Sequence, residues 1–327
     1  MLDLKRLQRI KLHKRPRVQL LIANTGLVLD YRLPRRTRIT LEGVEHIPKD
    51  RGVFFAMNHT DRYNYWPFQY QMYRHGGLRF TATWVKGKYY EKRLMGAFMD
   101  ATNNIPLPSR GYVITTRFRE AVGRVPAKEE YAALRGMVDH KLTPAEAAAQ
   151  GGEGVARFIA GEGGESEALP RFEAYFEAMM AEVTRLTREA LTKHELNVLV
   201  FPQGTRSKRL SKGHTGLMQM AQHLGNAIVP VGCNGSDRAY PGGSPFSKGG
   251  NLVYRIGAPL ELDGPELGAF RVTEPFTPFT PSAAAHEAKF RAATDVVMDR
   301  INGLLDPEYQ YGDGRESDGV EGMRRFV

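Results

Sequence analysis

Two short segments carry residue types able to do chemistry. In Asn58-His59-Thr60-Asp61-Arg62-Tyr63-Asn64, a histidine stands just after the apolar run 52–57, with Asn58 between. A neutral imidazole at the end of a strand is a suitable general base for an alcohol. In Phe201-Pro202-Gln203-Gly204-Thr205-Arg206-Ser207, a Gly-Thr-Arg turn follows the apolar run 196–200. A strand opening into such a turn presents backbone N–H groups and a guanidinium together at one sheet edge, and these are groups that hold an anionic phosphate. Lys208, Arg209 and Lys212 come next, then a helical pattern over 215–224.

The elements that must position these residues read as short apolar strands alternating with helices. Strands are expected over 37–41, 53–57, 80–85, 196–200, 227–232 and 251–256, with a further short one ending at 107. Helices are expected over 65–73, 88–99 and 283–304. The fold class is α/β, a twisted and mostly parallel sheet flanked by helices. One domain spans 37–305. Within it, 112–195 is a helical insertion rich in Ala, Glu and Arg, with a capping box at Thr143-Pro144-Ala145-Glu146. A long helical pattern over 169–191 places Phe172, Tyr175, Phe176, Met179, Val183 and Leu186 on one side. Either it packs against the sheet or it is a lid over the site; the sequence leaves both open. The polar, glycine-bearing stretch 306–327 reads as a disordered tail.

The two segments, in this order, resemble the blocks of the glycerolipid acyltransferase superfamily. That family carries Asn-His, four residues, then Asp; here Asn58 and His59 match and Asn64 stands at the aspartate position. Its Phe-Pro-Glu-Gly-Thr-Arg block matches except that Gln203 replaces the glutamate. Lys86, Gly96 and Ile105-Pro106-Leu107-Pro108-Ser109-Arg110-Gly111 are similar to the second block, and Ile228-Val229-Pro230-Val231 to the fourth. The resemblance implies an O-acyltransferase that moves a fatty acyl group from acyl-CoA or acyl-carrier protein to a lysophosphatidate-like acceptor, with no other cofactor. It implies His59 as base, Asn64 as its orienting partner, and Arg110, Gln203, Gly204, Thr205 and Arg206 as the substrate-binding set. Asn64 accepts a hydrogen bond but brings no charge, so Asn64→Asp is expected to raise the rate. Asp61 is the alternative partner. The same loss of charge supports a second function, a weak or inactive homologue that binds lipid or acyl thioester at a membrane. The aromatic residues Tyr63, Tyr65, Trp66 and Phe68 either line an acyl groove or fill the core.

Charge points to the partner. The 327-residue chain has a formal charge of +10. Residues 1–38 hold eleven Lys and Arg against Asp3 and Asp30, interleaved with Leu2, Leu4, Leu7, Ile10 and Leu12. This reads as basic amphipathic helices over 1–36 that contact an anionic membrane surface, in preference to nucleic acid. The best spanning candidate, 18–33, contains Asn24, Thr25, Asp30 and Arg32 and is too short and polar to cross a bilayer. The expected location is the cytoplasm, peripheral on the inner membrane face. Cys233 is the single cysteine, so no intramolecular disulfide forms, and it reads as a small buried hydrophobe. No His/Cys/Asp cluster has metal-ligand spacing.

Overall fold

Strands that are apolar at every position must be covered on both faces, and the computed structural model builds its sheet that way. It describes residues 2–33 and 36–317. The chain opens with α1 (Leu4–Arg9) and α2 (Arg17–Ile22), which a π-helical turn (Ala23–Leu27) joins to α3 (Val28–Arg32). Then come β1 (Thr37–Glu42), β2 (Phe54–Met57), α4 (Tyr65–His75), β3 (Thr81–Lys86), α5 (Arg93–Ala101) and β4 (Asn104–Leu107). The insertion holds α6 (Arg110–Val122), α7 (Lys128–Val138), α8 (Pro144–Gly161) and α9 (Ala168–Leu191). After it run β5 (Asn197–Val200), α10 (Gly216–Leu224), β6 (Ile228–Asn234), α11 (Ser236–Ala239), β7 (Gly250–Ile256), α12 (Pro281–Ala284) and α13 (Glu287–Gly303).

The strand order is β1-β7-β6-β2-β5-β3-β4. Every pairing is parallel except β6 with β7. The fold is therefore α/β with a mostly parallel sheet. The period of two along each strand divides its side chains between two cores. Phe54, Ala56, Val198 and Val200 pack with α9, α10 and α13, while Phe55, Met57 and Leu199 pack with α4 and the α2–α3 helix. Because β2 to β6 run the same way, their C-terminal ends share one edge, where ligands of open parallel sheets bind.

The insertion is packed. Phe172, Phe176, Met179, Val183 and Leu186 of α9 are buried against β4 and β5, and the Thr143–Glu146 capping box starts α8. These helices also brace the N-terminus: the Tyr112 hydroxyl accepts from the Leu2 N–H at 3.1 Å, and that of Tyr175 from the Leu4 N–H at 3.3 Å.

Two expectations need correction. The apolar face of α1 does not meet a membrane, because Leu2, Leu7, Ile10 and Leu12 are buried in the first core beside α9. The exposed apolar residues of this region are Val18, Leu21, Leu29 and Leu33. Nor is 306–317 a disordered tail. Tyr309 is buried, its hydroxyl donates to Asp237 at 2.6 Å, and its carbonyl accepts from the Leu210 N–H at 2.8 Å. Residues 318–327 lie outside the described residues.

Candidate active site

Four parallel strands deliver the expected chemistry to one edge: His59 follows β2, Lys86 ends β3, Arg110 follows β4 and Gln203–Arg206 follow β5. Asn58 continues the ladder past the end of β2 with its side chain. Its Nδ2 donates to the Cys233 carbonyl at 2.9 Å and its Oδ1 accepts from the Cys233 N–H at 2.7 Å. That fixes the backbone of the next residue, His59, whose ring stacks on Phe201 with centroids 4.1 Å apart.

Asn64 reaches His59 from the start of α4. Its Oδ1 accepts from His59 Nδ1 at 3.1 Å, and its Nδ2 donates to the Asn58 carbonyl at 2.8 Å. With the amide N–H groups turned to Asn58, only the oxygen faces the ring, so Nδ1 carries the proton and Nε2 keeps its lone pair. The Tyr254 hydroxyl donates to the Asn64 carbonyl at 2.6 Å and holds the turn from the second core. Burial is the main cause pushing the imidazole down to about 3; the Asn64 hydrogen bond opposes it, and the Arg206 and Lys86 charges add to the lowering. His59 is a neutral imidazole in electropositive surroundings.

Asp61 does not partner His59. Its carboxylate accepts from the Thr60 hydroxyl at 2.9 Å and the Tyr63 N–H at 2.8 Å, and so shapes the loop. Burial raises it to about 6. Gln203 is a second correction, because it does not face an acceptor. It is buried; its oxygen accepts from the His59 N–H at 2.9 Å, and its amide nitrogen donates to Ser211 Oγ at 3.1 Å and the Arg209 carbonyl at 3.4 Å. It ties the base to the turn. Gly204, with φ +65°, makes that turn possible, and Gly204, Thr205 and Arg206 stay half-exposed beside it. Arg110 is at the first turn of α6, its guanidinium 5.0 Å over the Phe176 ring. The insertion thus supplies the surface on which one expected phosphate ligand rests.

Sequence reasoning missed His214. Its backbone N–H donates to the Pro202 carbonyl at 2.8 Å. The Cδ2–Nε2 edge of its ring lies over Gly204, where a Cβ would sit 2.8 Å from Cδ2 and 3.0 Å from Nε2. Ten positions separate the two residues, so no local spacing marks the pair. Cys233, on β6, is buried in the second core, which drives its thiol well up; a buried thiol of that kind is inert.

Beside the site, along α4, runs an apolar cavity of about 260 Å³ whose walls include Leu20, Leu27, Tyr65, Trp66, Tyr73 and Phe98. Tyr65 and Trp66 of the aromatic run line it. Tyr63 and Phe68 are packed in the second core. Among the described residues no cluster fit to hold a metal ion occurs and no helix is long and apolar enough to cross a membrane.

An acyltransferase family model matches residues 172–234, which run from the second turn of α9 through the Gly204 turn to the end of β6. No curated protein matches the sequence. Among solved structures, the chain is similar to the 1-acyl-sn-glycerophosphate (LPA) acyltransferase PlsC of Thermotoga maritima, with a TM-score of 0.45 and 15% identity over 88% of this chain and 79% of that one. The matched segment carries the third and fourth blocks, and β2 to β4 bring the residues of the first and second blocks to the same sheet edge, so the part of the chain from residue 172 to residue 234 is similar to an acyltransferase domain.

Proposed function

We propose that the chain transfers a fatty acyl group from acyl-CoA or acyl-carrier protein to the free hydroxyl of a lysophosphatidate-like glycerolipid. The observation that carries this reading is the His59–Asn64 contact at 3.1 Å, which leaves Nε2 unprotonated within reach of the Arg206 and Lys86 charges. His59 Nε2 takes the hydroxyl proton as the oxygen attacks the thioester carbonyl. The tetrahedral intermediate then collapses, and the imidazolium returns the proton to the leaving thiolate.

In the Ser-His-Asp triad, an Asp→Asn change lowers kcat by ~10⁴ because the wrong tautomer forms. Here Asn58 occupies the amide N–H groups, so the tautomer is the productive one. What Asn64 cannot supply is negative charge for the imidazolium. An acceptor phosphate held by Arg206 and the turn supplies it, and this supports an anionic acceptor. The cavity along α4 suits the acyl chain. Membrane contact is assigned to Leu21, Leu29 and Leu33 with the neighbouring Arg17 and Arg32, on the inner membrane face. The strong lowering of the His59 pKa favours one second reading, a homologue that binds these ligands without turnover.

A radiolabelled thioester assay with a panel of lysolipids separates the two. Transfer to phosphate-bearing acceptors that His59→Ala abolishes is the expected result; ligand binding with no product in the parent chain would establish the second reading.

A further inference from the structure

His214 lies against Gly204, and acyl transfer by His59 gives it no task. Its backbone is fixed on both sides: its N–H is held by Pro202, and the preceding carbonyl, of Gly213, accepts from Arg291 at 2.6 Å. The ring therefore sits where the loop puts it, with the Cδ2–Nε2 edge over a glycine whose missing Cβ leaves the room. Among the described residues no hydrogen bond to either nitrogen of the His214 ring occurs.

The surroundings are cationic. Lys86 at the end of β3 and Arg291 on α13 both act on the ring, and Lys212 lies on its own loop. Arg291 is balanced only at long range, by Glu287 at 3.8 Å and Asp295 at 3.9 Å, and Glu287 also accepts from Thr215 Oγ1. A histidine that is partly exposed, flanked by cations and set edge-on over the half-exposed Gly204–Arg206 turn is placed to meet an anion.

Resting on the acceptor-binding reading of this turn, we propose that His214 is a second substrate-binding histidine: Nε2 hydrogen-bonds the phosphate cradled over Gly204–Arg206, and the imidazole takes up a proton as that phosphate arrives. The sign follows from the neighbours. Without an anion, burial and then Arg291 and Lys86 keep the ring below its ordinary value. A bound dianion reverses that balance, so binding consumes a proton and tightens as pH falls.

The test uses the full chain and inorganic sulfate, whose charge does not change between pH 5.5 and pH 8, followed by calorimetry. Sulfate affinity is expected to rise about tenfold from pH 8 to pH 5.5. His214→Gln, which keeps a hydrogen-bonding side chain but cannot take a proton, should flatten that dependence, while His59→Gln should keep it. In histidine NMR, the resonance missing from His214→Gln should titrate at higher pH once sulfate is added. Displacement of sulfate by glycerol 3-phosphate places the phosphate on the acceptor, and displacement by coenzyme A places it on the donor. The proposal is overturned by a parental slope in His214→Gln, by a His214 resonance that sulfate does not move, by sulfate binding that is absent or independent of pH, or by displacement with neither ligand. None of these readouts needs acyl transfer, so a failed transfer assay and a failed role for His214 remain distinct.

Discussion

At Asn64 and Gln203 an amide stands where the family has a carboxylate, and each amide uses an N–H to donate to a backbone carbonyl, Asn58 in one case and Arg209 in the other. A carboxylate cannot donate. Asn64→Asp would turn a carboxylate oxygen onto the Asn58 carbonyl in a position with no solvent access, so the gain in rate expected from sequence does not survive the geometry. We predict that Asn64→Asp and Gln203→Glu each lose ~1–3 kcal/mol of stability by urea denaturation and that neither exceeds the parental kcat. An Asn64→Asp protein that is both as stable as the parent and faster would show that the Asn58 carbonyl finds another donor. Gly204→Ala meets two obstacles at once, the positive φ and the His214 ring. Transfer should fall at least tenfold, with most of the change in KM for the phosphate-bearing acceptor; an unchanged KM would mean that neither the turn nor the ring touches phosphate.

Among the elements, the residues 306–317 act as a strap across the loop that leads from the Gly204 turn to α10. Tyr309 and Arg315 carbonyls accept from the Leu210 and Lys212 N–H groups at 2.8 and 3.1 Å, and Glu308 ion-pairs with Lys208. Removing the anchor with Tyr309→Ala should cost ~3–5 kcal/mol, the usual loss for a buried aromatic. It should also release the Leu210 and Lys212 amides to hydrogen exchange before the strands open; exchange only on global unfolding would argue against a separate strap. The strands and the turn were legible in the sequence because their signals are local, an apolar run of four to six residues closed by His or by Gly-Thr-Arg. The strap was not. It rests on one tyrosine and on backbone bonds across a hundred positions, which leave no periodicity. Amphipathicity in α1 was likewise visible, but a helical pattern marks a face that will be covered and does not say whether lipid or the chain's own α9 covers it.

For the molecule as a whole, two buried groups pull acid stability in opposite directions. His59 is lowered to about 3 from an ordinary 6.5, so the unfolded chain binds its proton first and stability is lost as pH falls from about 6.5 toward 3. Asp61 is raised to about 6, so the folded chain holds its proton first and stability is gained as pH falls from about 6 to 4. Relative to the parent, His59→Gln should therefore lose less stability on acidification from pH 7 to pH 4.5 in urea titrations. An identical pH slope in both proteins would mean that His59 protonates freely in the native state. The opposite ends of the described chain also converge on the site: Leu2 and Leu4 dock on the insertion, and the strap closes on the loop beside Gly204. Such long-range closures are formed late, since loop-closure entropy must be overcome before the contacts reward it. During synthesis, β2 to β6 can assemble while the loop at 207–212 still lacks the carbonyls it will bond. The proposed site thus has a birth order: the histidine is set early, and the loop beside Gly204 is finished only after residue 315 has left the ribosome, so on the proposed function a nascent chain stalled before that point would be folded in its sheet and unable to hold its acceptor.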